Sequence, residues 1–278
     1  MIDLFKPYSF AGHYLKNRFV MAPMTRARRP DYIANAETAL YYRQRATAGL
    51  IVTEGTPVSP EGQGYINVPG IWSEAQVAGW KLVTDAVHEE GGTIFAQLWH
   101  VGRMSHVSLQ PNGNAPVSST ATPARDPKSQ AFIYLADGST GFAEPSVPRP
   151  LGTEEVARVV ADVAKAGRNA QAAGFDGVEL HSANGYLFEQ FLNPILNTRD
   201  DRYGGALENR ARIVLETIDA LIAEIGASRV GIRLAPFNRQ FDMPAYDDNG
   251  ETSLYLAREL SARGIAYSHL NDHLAAGH

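Results

Sequence analysis

Apolar runs and amphipathic segments alternate along most of the chain. Six short runs stay apolar instead of alternating with polar residues, which is typical of strands buried on both faces of a parallel sheet. We therefore predict strands at residues 18–22, 50–53, 93–98, 177–180, 230–234 and 265–270.

Between these runs, hydrophobic residues recur at helical spacing. Helices are predicted at residues 36–48, 73–90, 153–173, 207–225 and 252–263. Ser73 and Gln76 carry the sequence signature of a capping box, and Gly91 follows the end of that helix. Thr153 is the expected N-cap of the third helix, because two acidic residues follow it in the first turn.

The alternation of strands and helices predicts an α/β fold with a parallel sheet covered by helices. Two architectures fit this pattern, an open doubly wound sheet and a (β/α)8 TIM barrel. No G-x-G-x-x-G motif follows an early strand, which weakens the case for a dinucleotide-binding open sheet.

One long segment, residues 101–150, interrupts the alternation and is rich in Pro, Ser, Asn and Gly. We predict a loop that carries a hairpin, with its first strand near residues 131–135, and that serves as a lid over the site. A typical barrel takes roughly 250 residues, and this insertion uses much of that length. We therefore expect one barrel domain over residues 1–278, with about six of eight strand–helix units visible and the last two missing.

Composition narrows the class of protein. Hydrophobic residues make up 44% and charged residues 20%, as in ordinary globular proteins. A net charge of -5 without a basic block gives no indication of nucleic-acid binding. Cysteine is absent, which excludes disulfides and thiolate chemistry. Neither a signal-peptide core nor a membrane-spanning run is apparent, so we expect a soluble cytoplasmic protein.

Polar residues stand where five of the predicted strands end. Because the carboxyl ends of barrel strands share one rim, these side chains are expected to meet in a common site. They are Pro23, Met24 and Thr25, then Gly55, then Gln97 and Trp99, then His181, Asn184 and Tyr186, and finally Arg233.

Part of this set suits a flavin. An isoalloxazine ring needs hydrogen-bond partners along its carbonyl edge, which the Gln97 amide and the Thr25 hydroxyl can supply. Arg233 can place a cation near the N1–C2=O edge, and Gly55 permits close approach of the backbone. His181, Asn184 and Tyr186 form a second group.

That second group combines two neutral hydrogen-bond donors with a phenol. Such a cluster suits a site that polarises an oxygen and delivers a proton. Its members, and those of the flavin group, also have structural interpretations, such as Trp99 in packing and Arg233 in a buried ion pair.

Other chemistry is less well supported. His269 and His273 lie four residues apart, but no H-E-x-x-H motif accompanies them, so we expect no metal site. No predicted strand carries a lysine for a Schiff base, which disfavours an aldolase. The Asp201, Arg202 and Arg210 side chains are expected to hold the loop after the fourth strand through charge-assisted hydrogen bonds.

Several motifs resemble those of the old yellow enzymes, in particular the classical bacterial FMN-dependent reductases of enones, maleimides and nitrate esters. They span residues 4 to about 270 in family order, and they read LFKP, APMTR, VTEGT, QLWHVGRMSH, LHSANGYLFEQFL, DDRYGG…ENR and RLAPF. The resemblance implies an oxidoreductase that binds FMN, is reduced by NAD(P)H in a ping-pong cycle, and passes hydride to an activated alkene or a nitro compound.

The resemblance also implies roles for individual residues. Pro23, Met24, Thr25, Gly55, Gln97 and Arg233 would contact the flavin, and Trp99 would line the substrate pocket. His181 and Asn184 would bind the substrate oxygen, and Tyr186 would protonate the α-carbon.

One departure from the family motivates a second hypothesis. Old yellow enzymes bind the FMN phosphate with loops after strands seven and eight, and the motifs of those loops are absent from this sequence. The chain would then be a truncated, flavin-free and inactive barrel fragment that self-associates to cover the missing strands.

Overall fold

A computed structural model describes residues 3–271 of the chain. The helices are α1 (Ala36–Arg43), α2 (Glu74–Glu89), α3 (Thr153–Ala172), α4 (Leu187–Leu192), α5 (Leu207–Ile225) and α6 (Asn249–Ala262). The strands are β1 (Tyr8–Phe10), β2 (His13–Leu15), β3 (Val20–Met21), β4 (Leu50–Pro57), β5 (Ile94–Trp99), β6 (Val117–Ser118), β7 (Ala131–Tyr134), β8 (Thr140–Ala143), β9 (Arg149–Pro150), β10 (Gly177–Ser182), β11 (Val230–Leu234) and β12 (Tyr267–Leu270).

The central sheet confirms the predicted parallel strands. Its order is β12-β11-β10-β5-β4-β3, so each strand of the sheet lies beside its neighbour in the chain, and every pair is parallel. Each of the six predicted apolar runs overlaps one of these strands, and β4, β5 and β10 extend beyond the carboxyl ends of their runs. This topology is that of a (β/α) barrel wall, of which residues 3–271 contribute six strands.

The two faces of the sheet have different roles. Ile94, Ala96 and Leu98 of β5 point into the large core formed with the helices. Phe95, on the opposite face of the same strand, packs in a small cluster with Leu15 of the N-terminal β1–β2 hairpin. Since successive side chains of a strand alternate between faces, every second residue is directed into the barrel interior.

Two helix boundaries and one cap differ from the sequence predictions. Helix α6 begins at Asn249 and not at residue 252. Helix α1 ends at Arg43 and not at residue 48, because residues 45–48 form i→i−3 turns. Gly152, and not Thr153, is the N-cap of α3. The Thr153 hydroxyl is engaged elsewhere, at 2.7 Å from Asp201 Oδ2, and Glu155 accepts from the Gly152 N–H. The capping box of Ser73 and Gln76 is confirmed.

The insertion at 101–150 contains the predicted hairpin, formed by β7 and β8. Arg103 ties this segment to the loop after β11. Its buried guanidinium donates to the carbonyl oxygens of Thr122, Pro123, Phe241 and Asp242, and burial lowers its pKa to about 10. The insertion is therefore fastened across the same rim as the predicted site.

Ion pairs hold the loop after β10, as expected from the sequence. Asp201 accepts from Arg199, and Arg210 donates to Asp248 at 2.7 Å. Arg202 donates to the hydroxyl of Tyr203. Within residues 3–271, no helix has both the length and the apolar character needed to cross a bilayer.

Candidate active site

A cavity lies at the carboxyl ends of the central strands. It is lined by Pro23, Thr25, Gly55, Gln97, Trp99, His181, Asn184, Tyr186 and Arg233. The structure thus brings together every residue that the sequence singled out for this site except Met24. Met24 lies on the same loop as Pro23 and Thr25, outside the lining, with a side chain that is 52% exposed.

Strand periodicity explains this convergence. Gln97 and Trp99 occupy alternate positions of β5, so both point to the interior face. In β10 the strand continues to Ser182, which places His181 within the strand and not after it. Gly55 likewise lies within β4, where a Cβ atom would come 2.6 Å from the Trp99 ring. Glycine at position 55 therefore makes room for Trp99.

His181 presents a neutral N–H to the cavity. The Ala183 backbone N–H donates to His181 Nδ1 at 3.4 Å, which leaves the proton on Nε2. Burial, reinforced by the positive charge of Arg233, lowers the pKa of His181 to about 3. The imidazole is therefore uncharged at neutral pH and can donate one hydrogen bond to a ligand.

Asn184 is held in a turn with a left-handed backbone. Its φ is 57° and that of Gly185 is 78°, so two consecutive residues adopt positive φ. Asn184 Oδ1 accepts from Asn271 Nδ2 at 2.7 Å. With its oxygen engaged, the Asn184 side chain offers its NH2 group, and it becomes a second donor beside His181.

Tyr186 completes the group. Its ring stands perpendicular to those of Trp99 and His181, each with a centroid distance of 5.0 Å. Burial raises the pKa of its hydroxyl well above the usual value, so the phenol keeps its proton until a base forms nearby. Its hydroxyl lies 3.5 Å from that of Tyr65, whose ring stacks on Trp99.

Two buried carboxyl groups near the site were missed by the sequence analysis. Glu54 accepts from the Arg26 N–H at 2.9 Å and so anchors the loop that carries Thr25. Glu179, fully buried two residues before His181, accepts from Gln97 Nε2 at 2.7 Å. A charged residue inside an apolar run, at an even spacing from a candidate site residue, is the signal that could have identified Glu179.

The chain matches the sequence model of the NADH:flavin oxidoreductase / NADH oxidase family over residues 3–275. The chain belongs to this family. FMN as cofactor and NAD(P)H as reductant, which the resemblance to old yellow enzymes implied, are thereby confirmed for the family of this chain.

Relatives within the family are similar over nearly the whole chain. A putative 12-oxophytodienoate reductase 4 of Oryza sativa subsp. japonica is 46% identical over 271 residues, which is 97% of this chain and 68% of the relative. The 12-oxophytodienoate reductase 2 of Arabidopsis thaliana is 42% identical over 97% of this chain and 70% of its own length.

Solved structures of old yellow enzymes share the fold. Morphinone reductase in complex with tetrahydroNAD superposes with a TM-score of 0.95 at 46% identity, covering 98% of this chain and 74% of that one. The old yellow enzyme homologue from Zymomonas mobilis gives a TM-score of 0.89 at 40% identity, covering 97% and 73%. The fold is therefore that of the old yellow enzyme TIM barrel.

The residues of the cavity fit the flavin of this family. The buried N–H groups of Trp99 Nε1 and Arg233 Nε have no hydrogen-bond partner within residues 3–271. Such groups are usually satisfied in proteins, so their presence at a cavity indicates a ligand with acceptor atoms. The carbonyl edge of isoalloxazine provides acceptors for Arg233, and the Thr25 hydroxyl adds a further donor.

The pair considered for a metal, His269 and His273, lies partly outside the described residues, since these end before His273. His269 Nδ1 is bonded to Glu179 Oε2 at 3.0 Å. In the part of the chain that is described, no group of three or more His, Cys, Asp or Glu residues has an arrangement suited to a metal ion.

Proposed function

We propose that this chain, a single barrel domain, is an FMN-dependent NAD(P)H:alkene reductase of the old yellow enzyme type. Its substrates are small molecules in which an oxygen activates a C=C bond, such as enones, maleimides and nitroalkenes, or else nitrate esters. One observation carries the proposal: two neutral donors and a buried phenol converge on a cavity that also carries flavin-compatible groups.

The flavin-binding part of the site consists of the Thr25, Gln97 and Arg233 side chains and the backbone at residues 23–24 and 55. Arg233 would stabilise negative charge at the N1–C2=O edge of a bound flavin. When bound, FMN accepts hydride from NAD(P)H and supplies it to the β-carbon of the alkene in a ping-pong cycle.

The substrate oxygen is held by the other part of the site. His181 Nε2–H and the Asn184 NH2 group both donate to it, and these bonds strengthen as the carbonyl or nitro group gains enolate or nitronate character. Because burial keeps His181 neutral, it polarises the oxygen without giving up its proton. Trp99 forms the wall beside this oxygen.

Protonation of the α-carbon is assigned to Tyr186. Its raised pKa means that the phenol is fully protonated at neutral pH, while the enolate carbon that forms is basic enough to accept a proton. The Tyr186 phenolate left behind lies next to the Tyr65 hydroxyl, which can stabilise it by a hydrogen bond.

The two half-reactions provide the test. The FMN-loaded chain would be mixed anaerobically first with NAD(P)H and then with 2-cyclohexenone, and the flavin absorbance followed by stopped flow. Tyr186→Phe should slow reoxidation by the enone by about 10²–10⁴-fold and leave reduction unchanged. His181→Ala should weaken enone binding by roughly tenfold or more, the loss expected for one buried hydrogen bond.

A matched control is Tyr134→Phe, since Tyr134 lies on the β7–β8 hairpin, outside the cavity, and its hydroxyl donates to Asn67 Oδ1. Full alkene reduction by Tyr186→Phe would refute the role of Tyr186. Failure of the unmodified chain to retain FMN, together with oligomers on gel filtration, would instead favour the flavin-free, self-associating fragment.

A further inference from the structure

Glu179 is a buried carboxyl group beneath the cavity whose function is not explained by packing. It has no exposed surface and lies on the interior face of β10, two residues before His181. Burying a carboxyl group among barrel strands is unfavourable unless its oxygens are hydrogen-bonded. Its partners therefore indicate what the group does.

Both oxygens of Glu179 have partners on other strands of the sheet. Oε1 accepts from Gln97 Nε2 at 2.7 Å, and the two residues are directly paired in the β5–β10 register. Oε2 is bonded to His269 Nδ1 on β12 at 3.0 Å. Gly231 is paired with Glu179 on the strand between them, and the ring of Tyr267 from β12 packs over it, 2.4 Å from where a Cβ atom would lie.

The hydrogen-bonding chemistry of Glu179 and Gln97 determines how the Gln97 amide is oriented. A carboxylate only accepts hydrogen bonds, whereas an amide has one oxygen that accepts and one NH2 group that donates. Gln97 must therefore turn its NH2 group toward Glu179. Its oxygen Oε1 is then directed away from Glu179 and toward the cavity that Gln97 lines.

An acceptor at this position selects a particular atom of a flavin. The oxidised isoalloxazine ring has several acceptors but a single ring N–H group, at N3. An oxygen of Gln97 that faces the ring can accept a hydrogen bond only from that group. With the opposite orientation, the NH2 group of Gln97 would face N3–H and two donors would be opposed.

We propose that Glu179 is a positioning residue that fixes the Gln97 amide with its oxygen toward the cavity, where it accepts a hydrogen bond from flavin N3–H. This inference rests on the proposed function, because it requires that a flavin occupies the cavity. Glu179 itself does not line the cavity.

The variant Glu179→Gln tests the orientation with little change of shape. Glutamine at position 179 can accept from the Gln97 NH2 group or donate to its oxygen, so the preference for one orientation is lost. A matched control is Glu216→Gln, because the Glu216 carboxyl group accepts from the Tyr203 hydroxyl at 2.8 Å on a helix outside the cavity.

The measurement compares FMN with 3-methyl-FMN, which lacks the N3 proton, by quenching of flavin fluorescence. The unmodified chain should bind FMN roughly five- to a hundredfold more tightly than 3-methyl-FMN, because 3-methyl-FMN leaves the buried Gln97 oxygen without a hydrogen-bond donor. In Glu179→Gln, FMN should bind roughly two- to tenfold more weakly, with 3-methyl-FMN almost unaffected. Gln97→Met should abolish the discrimination, and Glu216→Gln should keep it.

An unchanged ratio of the two dissociation constants in Glu179→Gln or in Gln97→Met would overturn the proposal. If the unmodified chain bound neither flavin, the proposed function would fail. The orientation of the Gln97 amide could then still be tested by NMR of its NH2 group. In ¹⁵N-glutamine-labelled chain without flavin, its NH2 signals should be a single sharp pair, which should broaden or double in Glu179→Gln. Identical signals in both proteins would overturn the proposal without any flavin.

Discussion

Replacing Glu189 by glutamine should remove a pH dependence from the stability of the fold. Glu189 lies on α4, and its Oε2 accepts from the Gly185 N–H at 2.6 Å and from Asn238 Nδ2 at 3.2 Å. It therefore connects the turn that carries Asn184 to the loop after β11. Despite these donors, burial raises its pKa from 4.5 to about 7.

The sign of the effect follows from this shift. Between pH 4.5 and about 7 the folded chain holds the Glu189 proton more tightly than the unfolded chain does, so stability falls as the pH rises through this window. A shift of this size corresponds to about 3 kcal/mol. Glutamine still accepts from Gly185 but cannot ionise.

The assay is urea unfolding of the unmodified chain and of Glu189→Gln at a series of pH values across that window. The free energy of unfolding of the variant, minus that of the unmodified chain, should rise by about 3 kcal/mol as the pH increases and then level off above pH 7. His181 titrates in both proteins, so the subtraction removes its contribution. A difference that stays flat, or one that Glu89→Gln on the exposed surface reproduces, would show that burial of Glu189 does not act in this way.

Three further predictions concern the turn, the oxygen-binding histidine and a helix cap. Gly185→Ala should destabilise the chain by about 1–3 kcal/mol in urea and lower enone turnover, because φ is 78° and the added Cβ would lie 2.7 Å from the Gln240 carbonyl oxygen. The unmodified chain should lose more stability than His181→Gln as the pH falls from 6.5 to about 3, because the folded state resists protonation of His181. Equal losses of stability in the two proteins would argue against burial of His181 as a neutral group. Ser73→Ala should lower the free energy of unfolding by about 1 kcal/mol, measured by thermal unfolding. An unchanged free energy would mean that Gln76 alone caps α2.

The central sheet and most helices could be predicted because their signals are local. Strands β5 and β11 are covered on both faces, and their residues are apolar except for Gln97 and Arg233. Those two polar exceptions, at interior positions, are site residues. Helix α2 was predicted within one residue at each end because Ser73 and Gln76 cap it.

Other features depend on contacts that a sequence does not display. Helix α4 has only six residues and no side-chain cap at Tyr186, so it has no recognisable start. Thr153 looks like an N-cap until its hydroxyl is seen to be bonded to Asp201, 48 residues further along the chain. The position of Glu179 in an apolar run is visible in the sequence, but its partners Gln97 and His269 are not, because they lie 82 and 90 residues away.

The proposed function requires that the cavity at the strand ends binds flavin and supports the reduction of activated alkenes. The most direct measurement is a visible absorbance spectrum of the chain after loading with FMN and desalting, followed anaerobically by NAD(P)H and then 2-cyclohexenone. The flavin band should stay with the protein, bleach with the reductant and return with the enone. A flavin-free spectrum, or a bleached band that the enone does not restore, would contradict the proposed function.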